Sequence, residues 1–238
     1  VPDSTTIFRF RDELAKAKVI DLLFSKFDHF LHANGFRAQK GQIVDASIVR
    51  VPTQRNTREE NKDIKEGKSI SSWSTAKRRQ KDTDARWTKK NGKSFFGYKN
   101  HVSIDAAHKF IRSYDVTDAS VHGSQVFTEL LDPSNTSRDV WADSAYRSEE
   151  SLHELQEQGF REHIQRKGCR HKKLTAREQQ GNRSRARIRC RIEHVFGVMA
   201  MRTGSTVMRG IGMIRIRAKV GLRNMAYNMT RYALLAAP

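Results

Sequence analysis

An α/β fold built on one mixed sheet flanked by helices is predicted by three observations. Short β-rich runs alternate with helical patterns in the order β, long insert, β, β, α, β, α, β. The turn between the second and third of these strands is tight, so they form an antiparallel hairpin. The fourth strand is reached only through a helix, and such a crossover returns the chain parallel to its neighbour. Three antiparallel strands followed by parallel ones make a ribonuclease H-like plan, with the first and fourth strands side by side.

The elements follow in order. Residues 1–35 place Ile7, Leu14, Ile20, Leu23, Phe27, Phe30 and Leu31 at near-helical spacing between Asp3-Ser4-Thr5-Thr6 and Asn34-Gly35, which predicts one or two helices. Residues 42–49 form a buried strand with Asp45 in its middle. Residues 50–93 read as a basic insert without periodic apolar pattern, Arg50 to Lys99 holding 15 Lys or Arg against 6 acids. Strands are expected at 95–105 and 110–118, a helix at 122–131, a strand at 138–143, a helix at 148–158 and a strand at 161–165. A long helix over 175–200 carries Ile188, Ile192, Val195, Phe196 and Met199 on one face. A last helix spans about 213–236. The expected organisation is a helical lead-in (1–38), a ribonuclease H-like domain (39–200) with the insert 50–93, and a C-terminal helical extension (201–238). The start at Val1-Pro2 suggests that the lead-in is the tail of a longer N-terminal domain.

Composition narrows the partners. The 238 residues hold 45 Lys or Arg against 26 Asp or Glu, a formal charge of +19. Such a chain is drawn to polyanions, nucleic acid first. No apolar run is long enough to span a membrane. Two cysteines, Cys169 and Cys190, build no disulfide framework, which suits a reducing cytoplasm.

In the ribonuclease H-like plan Asp45 and Asp143, at the end of the fourth strand, face each other where open α/β sheets present ligands. Glu193, one position from the apolar stripe of the long helix, can complete a triad. Clustered acids repel one another unless cations neutralise them, and oxygen donors suit Mg²⁺ or Mn²⁺. Two such ions can drive an in-line phosphodiester displacement. Bland readings stand beside this one: Asp45 as a strand-end cap, Asp143 as a turn residue, and Glu193 as a solvated partner of Arg189.

Several runs resemble one family. They are Ile-Val-Asp45-Ala-Ser, Asp84-Ala-Arg-Trp-Thr-Lys-Lys, Phe95-Phe-Gly-Tyr-Lys-Asn-His101, Val-Thr-Asp-Ala-Ser-Val-His122, Trp-Ala-Asp143-Ser-Ala-Tyr146 and Arg-Ile-Glu193-His-Val-Phe. Together they are similar to bacterial insertion-sequence transposases of the DDE class, insertion-sequence-5 type. The resemblance implies that Asp45, Asp143 and Glu193 are catalytic acids holding two Mg²⁺ or Mn²⁺ ions. They would cut the terminal inverted repeats of an element and join the freed 3′-hydroxyl to target DNA. It further implies double-stranded DNA as partner, a homodimer when complete, and a place in the bacterial cytoplasm at the nucleoid. Of the family's Tyr, Arg and Lys around the glutamate, this chain keeps only Arg189; Ala186 and Ala200 stand at the other two places.

DNA contacts are expected from Arg189, Arg185, Lys89, Lys90, Lys99 and Arg86. Residues 161–191 hold twelve Lys or Arg against two acids, but arginines at alternate positions of a helix lie about 200° apart and cannot line one groove. Trp73 and Trp87, interleaved with basic residues, suit either stacking on bases or packing. Asp82 and Asp84 read as solvated, His122 and His194 as surface histidines, and Tyr146 and Lys99 as packing or DNA contact. A zinc site among His163, Cys169, His171, Cys190 and His194 fits no common ligand spacing. The rival function is a DNA-binding remnant without catalysis, expected to bind duplexes in a salt-sensitive manner indifferent to Mg²⁺.

Overall fold

The computed structural model describes residues 1–68, 72–203 and 207–237. A six-stranded mixed sheet comprises β1 (Gln42–Arg50), β2 (Arg86–Lys90), β3 (Lys93–Asp105), β4 (Ile111–Asp118), β5 (Asp139–Ala142) and β6 (Arg161–Ile164). The long β3 runs antiparallel to β1 on one side; on the other it pairs first with β2 and then with β4. Across β1 the sheet turns parallel through β5 and β6. This order is consistent with the expected ribonuclease H-like plan.

Gly97 sits where β2 gives way to β4. Its φ is 149°, and a Cβ there would lie 2.2 Å from the carbonyl oxygen of Val49. Any side chain would force β1 and β3 apart, so glycine is required.

Alternation along the strands assigns two cores. On one face Ile43, Val102, Ile104 and Trp141 meet Ile192, Val195 and Met199 of α6 (Ala176–Thr203). Nearby, Val49, Tyr98 and Val116 meet Ile216 and Val220 of α7 (Met213–Ala236). The opposite face, with Val44, Val140 and Ala142, packs on Phe127, Leu130 and Leu155, the last from α5 (Glu149–Glu157). Each fully buried aliphatic contributes roughly 1.5–3 kcal/mol. The lead-in helices α1 (Ser4–Lys16) and α2 (Ile20–Ala33) pack on α7 through Ala15, Ile20 and Ala218.

Polar groups fix how α7 lies on the sheet. Asn228 is buried and brackets Ile111, accepting from its N–H at 2.9 Å and donating to its carbonyl at 2.8 Å. One turn earlier, Asn224 and Asn100 exchange two side-chain hydrogen bonds. A helix seated this way cannot slide by a turn without orphaning four buried polar groups.

Three expectations are corrected. Residues 122–131 form two 3₁₀ turns, Gly123–Val126 and Thr128–Leu130, instead of an α-helix. Phe127 and Leu130, three apart and both buried, suit the three-residue period.

Residues 50–93 are also more ordered than their composition suggests. They contain α3 (Arg58–Lys65), α4 (Thr75–Gln80) and the sheet strand β2. Glu60 closes a capping box with Thr57 and accepts from Trp73 Nε1 and Lys77 Nζ, both at 2.6 Å. Trp73 is buried against these groups, so polar clasps hold the segment where no apolar stripe exists. Asp82, expected in solvent, is buried and accepts from the Tyr98 hydroxyl at 2.7 Å and from the N–H groups of Asp84 and Ala85.

Two tests follow from these contacts. Asn228→Ala leaves both backbone groups of Ile111 unpaired and should cost about 2 kcal/mol in urea unfolding; a loss below about 0.5 kcal/mol would show that the bracket is dispensable. Glu60 is held down to about 2, first by Lys77, then by the Thr57 N–H and Trp73. Because its pKa is depressed on folding, its contribution is present above the ordinary value of 4.5 and vanishes as pH falls through about 2. Protease cleavage within 57–81 should therefore rise over that window, and Glu60→Gln should show the rise already at pH 7.

Candidate active site

The parallel pairing of β1 with β5 aligns Ile43 with Trp141. Two residues further along each strand come Asp45 and Asp143, on the same face and on neighbouring strands about 4.8 Å apart. Asp45 lies within β1; Asp143 follows the last residue of β5 and caps the 3₁₀ turn Ser144–Tyr146. Its Oδ1 accepts from the Ala145 N–H at 2.7 Å. That contact fixes its direction.

The face they share is the one α6 covers. Ile192 is fully buried against the sheet, which puts Glu193 at the helix edge with its side chain 58% exposed. One turn earlier, Arg189 reaches inward and joins the acids. Its Nη1 donates to Asp45 Oδ2 at 2.9 Å and its Nη2 to Glu193 Oε1 at 2.7 Å. The other oxygen of Asp45, Oδ1, accepts from the Ala46 N–H at 2.7 Å.

Burial and like charge both act on the acids. Burial pushes the Asp45 carboxyl above the usual aspartate value, and the neighbouring Asp143 adds to it; Arg189 and Lys90 act in the opposite direction. The Tyr146 hydroxyl is raised, first by burial and then by both aspartates. A carboxylate destabilised by a second carboxylate is relieved by a cation.

Oxygen donors of this kind suit a hard divalent ion, and the raised Asp45 carboxyl supports the fit. The ready-made arrangement, however, differs from the one expected. Among the described residues no three His, Cys, Asp or Glu side chains are grouped to hold a metal ion. The guanidinium of Arg189 bridges Asp45 and Glu193. The zinc alternative finds no such group either: His163 stacks on Trp141 and bonds to Asp139, while Cys169 is exposed.

The expected DNA-contacting residues divide by what they touch. Lys89 and Lys90 are exposed on β2, and Lys90 is near enough to act on both Asp45 and Lys99. Lys99 is half-buried and donates to the Val121 carbonyl at 2.6 Å. Arg86 is spent on the carbonyls of Thr83, Ala85 and Ile64 and works as an internal clamp. On α6, Arg183 and Arg187 are exposed while Arg185 and Arg189 turn inward, as the helical period requires. The Nε of Arg185 is buried without a partner.

Tyr146 is buried against Phe127, so its ring is a packing element. His122 caps a 3₁₀ turn. Trp87 remains half-exposed, its ring 5.3 Å from that of Phe96. The influence of Lys90 on Asp45 was the least legible feature, because it depends on pairing β2 with β3.

The family model described as Transposase DDE domain matches residues 37–229. A transposase for insertion sequence element IS1106 from Neisseria meningitidis serogroup B is 30% identical over 233 residues, covering 97% of this chain and 79% of that protein. No solved structure matches the chain. The long α6, most of α7, the six-stranded sheet and the Asp45–Asp143 pair fall within the matched span, and the chain belongs to the DDE transposases of insertion sequences.

Proposed function

We propose that the chain cuts DNA at the ends of an insertion sequence and joins the freed 3′-hydroxyl to target DNA, with Asp45, Asp143 and Glu193 as the catalytic acids. The observation that carries this reading is the β1–β5 register, which sets two aspartates side by side at the edge where α6 brings Glu193. Asp45 Oδ2, Asp143 Oδ2 and the Glu193 carboxylate are the oxygens that would hold two Mg²⁺ or Mn²⁺ ions. When bound, such ions supply Lewis acidity for in-line displacement at phosphorus.

The chain's own residues do the rest. Water displaces the 3′-oxygen at the element end, and the resulting 3′-hydroxyl displaces an oxygen of a target phosphodiester. Arg189, once released from Asp45 and Glu193, turns two N–H donors towards a phosphate oxygen. Lys89, Lys90 and Lys99 hold the backbone beside the acids, Arg185 offers an unpaired Nε from α6, and Arg86 keeps the β2 edge in place.

The finer assignments belong to the same reading. The insertion-sequence-5 type rests on the runs quoted from 43 to 196. The division into a lead-in (1–38), a ribonuclease H-like domain (39–200) with insert 50–93 and an extension (201–238) follows the element order. Double-stranded DNA is the substrate, inverted repeats and target alike, handled by a homodimer in the bacterial cytoplasm at the nucleoid. Among the described residues no helix is long and apolar enough to cross a membrane.

The test is Asp143→Asn. Cleavage and joining of labelled element ends in Mg²⁺ should fall at least about 100-fold, while duplex affinity in EDTA stays within about twofold. Unchanged cleavage by the pure variant would remove Asp143 from the mechanism.

A further inference from the structure

A second concentration of positive charge lies away from the acids. A cavity of about 590 Å³ opens between α1, α7 and the segments flanking β1 and α4, and a second of about 570 Å³ adjoins it, sharing Arg11, Arg209, Lys219 and Leu222. Val51, on its wall, is six residues beyond Asp45 on the path of β1, which is roughly 20 Å at strand rise.

The lining is unbalanced. Arg11, Arg79, Arg209, Arg215, Lys219 and Arg223 face the two cavities against a single acid, Asp12. That acid is already taken, pairing with Arg215 at 2.7 Å and Lys16 at 3.2 Å. No described carboxylate pairs with Arg11, Arg79, Arg209, Lys219 or Arg223. Lys219 donates to the backbone carbonyl of Arg209, which tethers it without neutralising it. The Nε of Arg223 is buried with no hydrogen-bond partner.

Two of these groups sit partly buried in the groove. Lys219 is pushed below the usual lysine range by burial and then by the nearby Arg11 and Arg215. Arg223 is lowered by burial alone, with no anion to offset it. Two other inward-facing arginines are paired with acids, Arg112 with Asp105 and Asp28, and Arg217 with Asp115 and Asp21. Two half-buried cations, Lys219 and Arg223, together with the exposed Arg11, Arg79 and Arg209, none of them paired with a described carboxylate, share one concave place and call for an anion from outside.

We propose that this groove seats the phosphodiester backbone of duplex DNA, a contact separate from the acids and about six phosphates from them. The spacing comes from roughly 20 Å divided by the 3.4 Å rise per phosphate along one strand. Arg11, Arg209 and Arg79 supply exposed donors at the rim, and the half-buried Arg223 adds its charge deeper in. Val51, Ala218 and Leu222 give the groove an apolar floor beneath these charges. The seat holds DNA in register while the ends are cut, and it rests on the reading that this chain acts on DNA.

The experiment measures duplex affinity by fluorescence anisotropy in EDTA over a salt series, so that the acids play no part. Arg11→Gln/Arg209→Gln is compared with Lys26→Gln/Arg37→Gln, an equal loss of charge elsewhere. The groove pair should bind at least about tenfold more weakly than the control pair, with the slope of log K against log salt reduced by about 2. Equal affinity and slope for the two pairs, with both folded by circular dichroism, overturn the proposal. So does a groove that responds only to inorganic phosphate, seen as a phosphate-dependent rise in melting temperature lost in the groove pair while duplex binding is unchanged. Wild-type protein that fails to bind any duplex would count instead against the DNA reading itself.

Discussion

The pairing of Ile43 with Trp141 is the contact on which the site depends, because a shift of one residue would turn Asp45 or Asp143 to the opposite face of the sheet. Several features pin that register. The apolar residues at 43 and 141 belong to the core covered by α6, while those at 44, 140 and 142 belong to the core covered by α5 and the 3₁₀ turns. Both faces are buried, so neither accepts a slipped strand. Gly41, whose Cβ would lie 2.5 Å from the carbonyl oxygen of Asp139, lets the two chains approach at the start of the pairing. The cost of two adjacent carboxylates is therefore met by hydrophobic packing on either side of them and by one guanidinium.

That guanidinium connects structure with chemistry. Arg189 bonds to both Asp45 and Glu193, and it does so from the turn of α6 that directly precedes Glu193. The same donors suit a phosphate. Under the proposed function, an exchange of these carboxylates for a phosphate would link DNA binding to exposure of the acids. The remaining surface charge divides in the same way: cations such as Arg112 and Arg86 are consumed internally, whereas Lys89 and Lys90 and the groove arginines stay available.

Much of the sheet was legible because its strands are short apolar runs closed by turns, and α6 because its stripe repeats at helical spacing over Ile188 to Met199. Asp45 and Asp143 could be paired from strand order alone. What escaped was held by polar contacts. The clasp of Glu60 on Trp73 and Lys77 leaves no periodic trace, nor does the burial of Asp82 under Tyr98. The 3₁₀ turns around Phe127 carry too few residues to distinguish their period from that of an α-helix. The bridging role of Arg189 was hidden among five alternating arginines, since only the packed position of Ile192 selects which of them turns inward.

The central claim is that Asp45, Asp143 and Glu193 come to share divalent cations once Arg189 leaves them. A crystal of the protein bound to an element-end duplex and soaked in Mn²⁺ tests this directly through anomalous scattering. The account predicts two manganese peaks about 4 Å apart, ligated by these three carboxylates, with the Arg189 guanidinium on a phosphate. Manganese bound elsewhere, or Arg189 still bridging Asp45 and Glu193 with DNA in place, would contradict it.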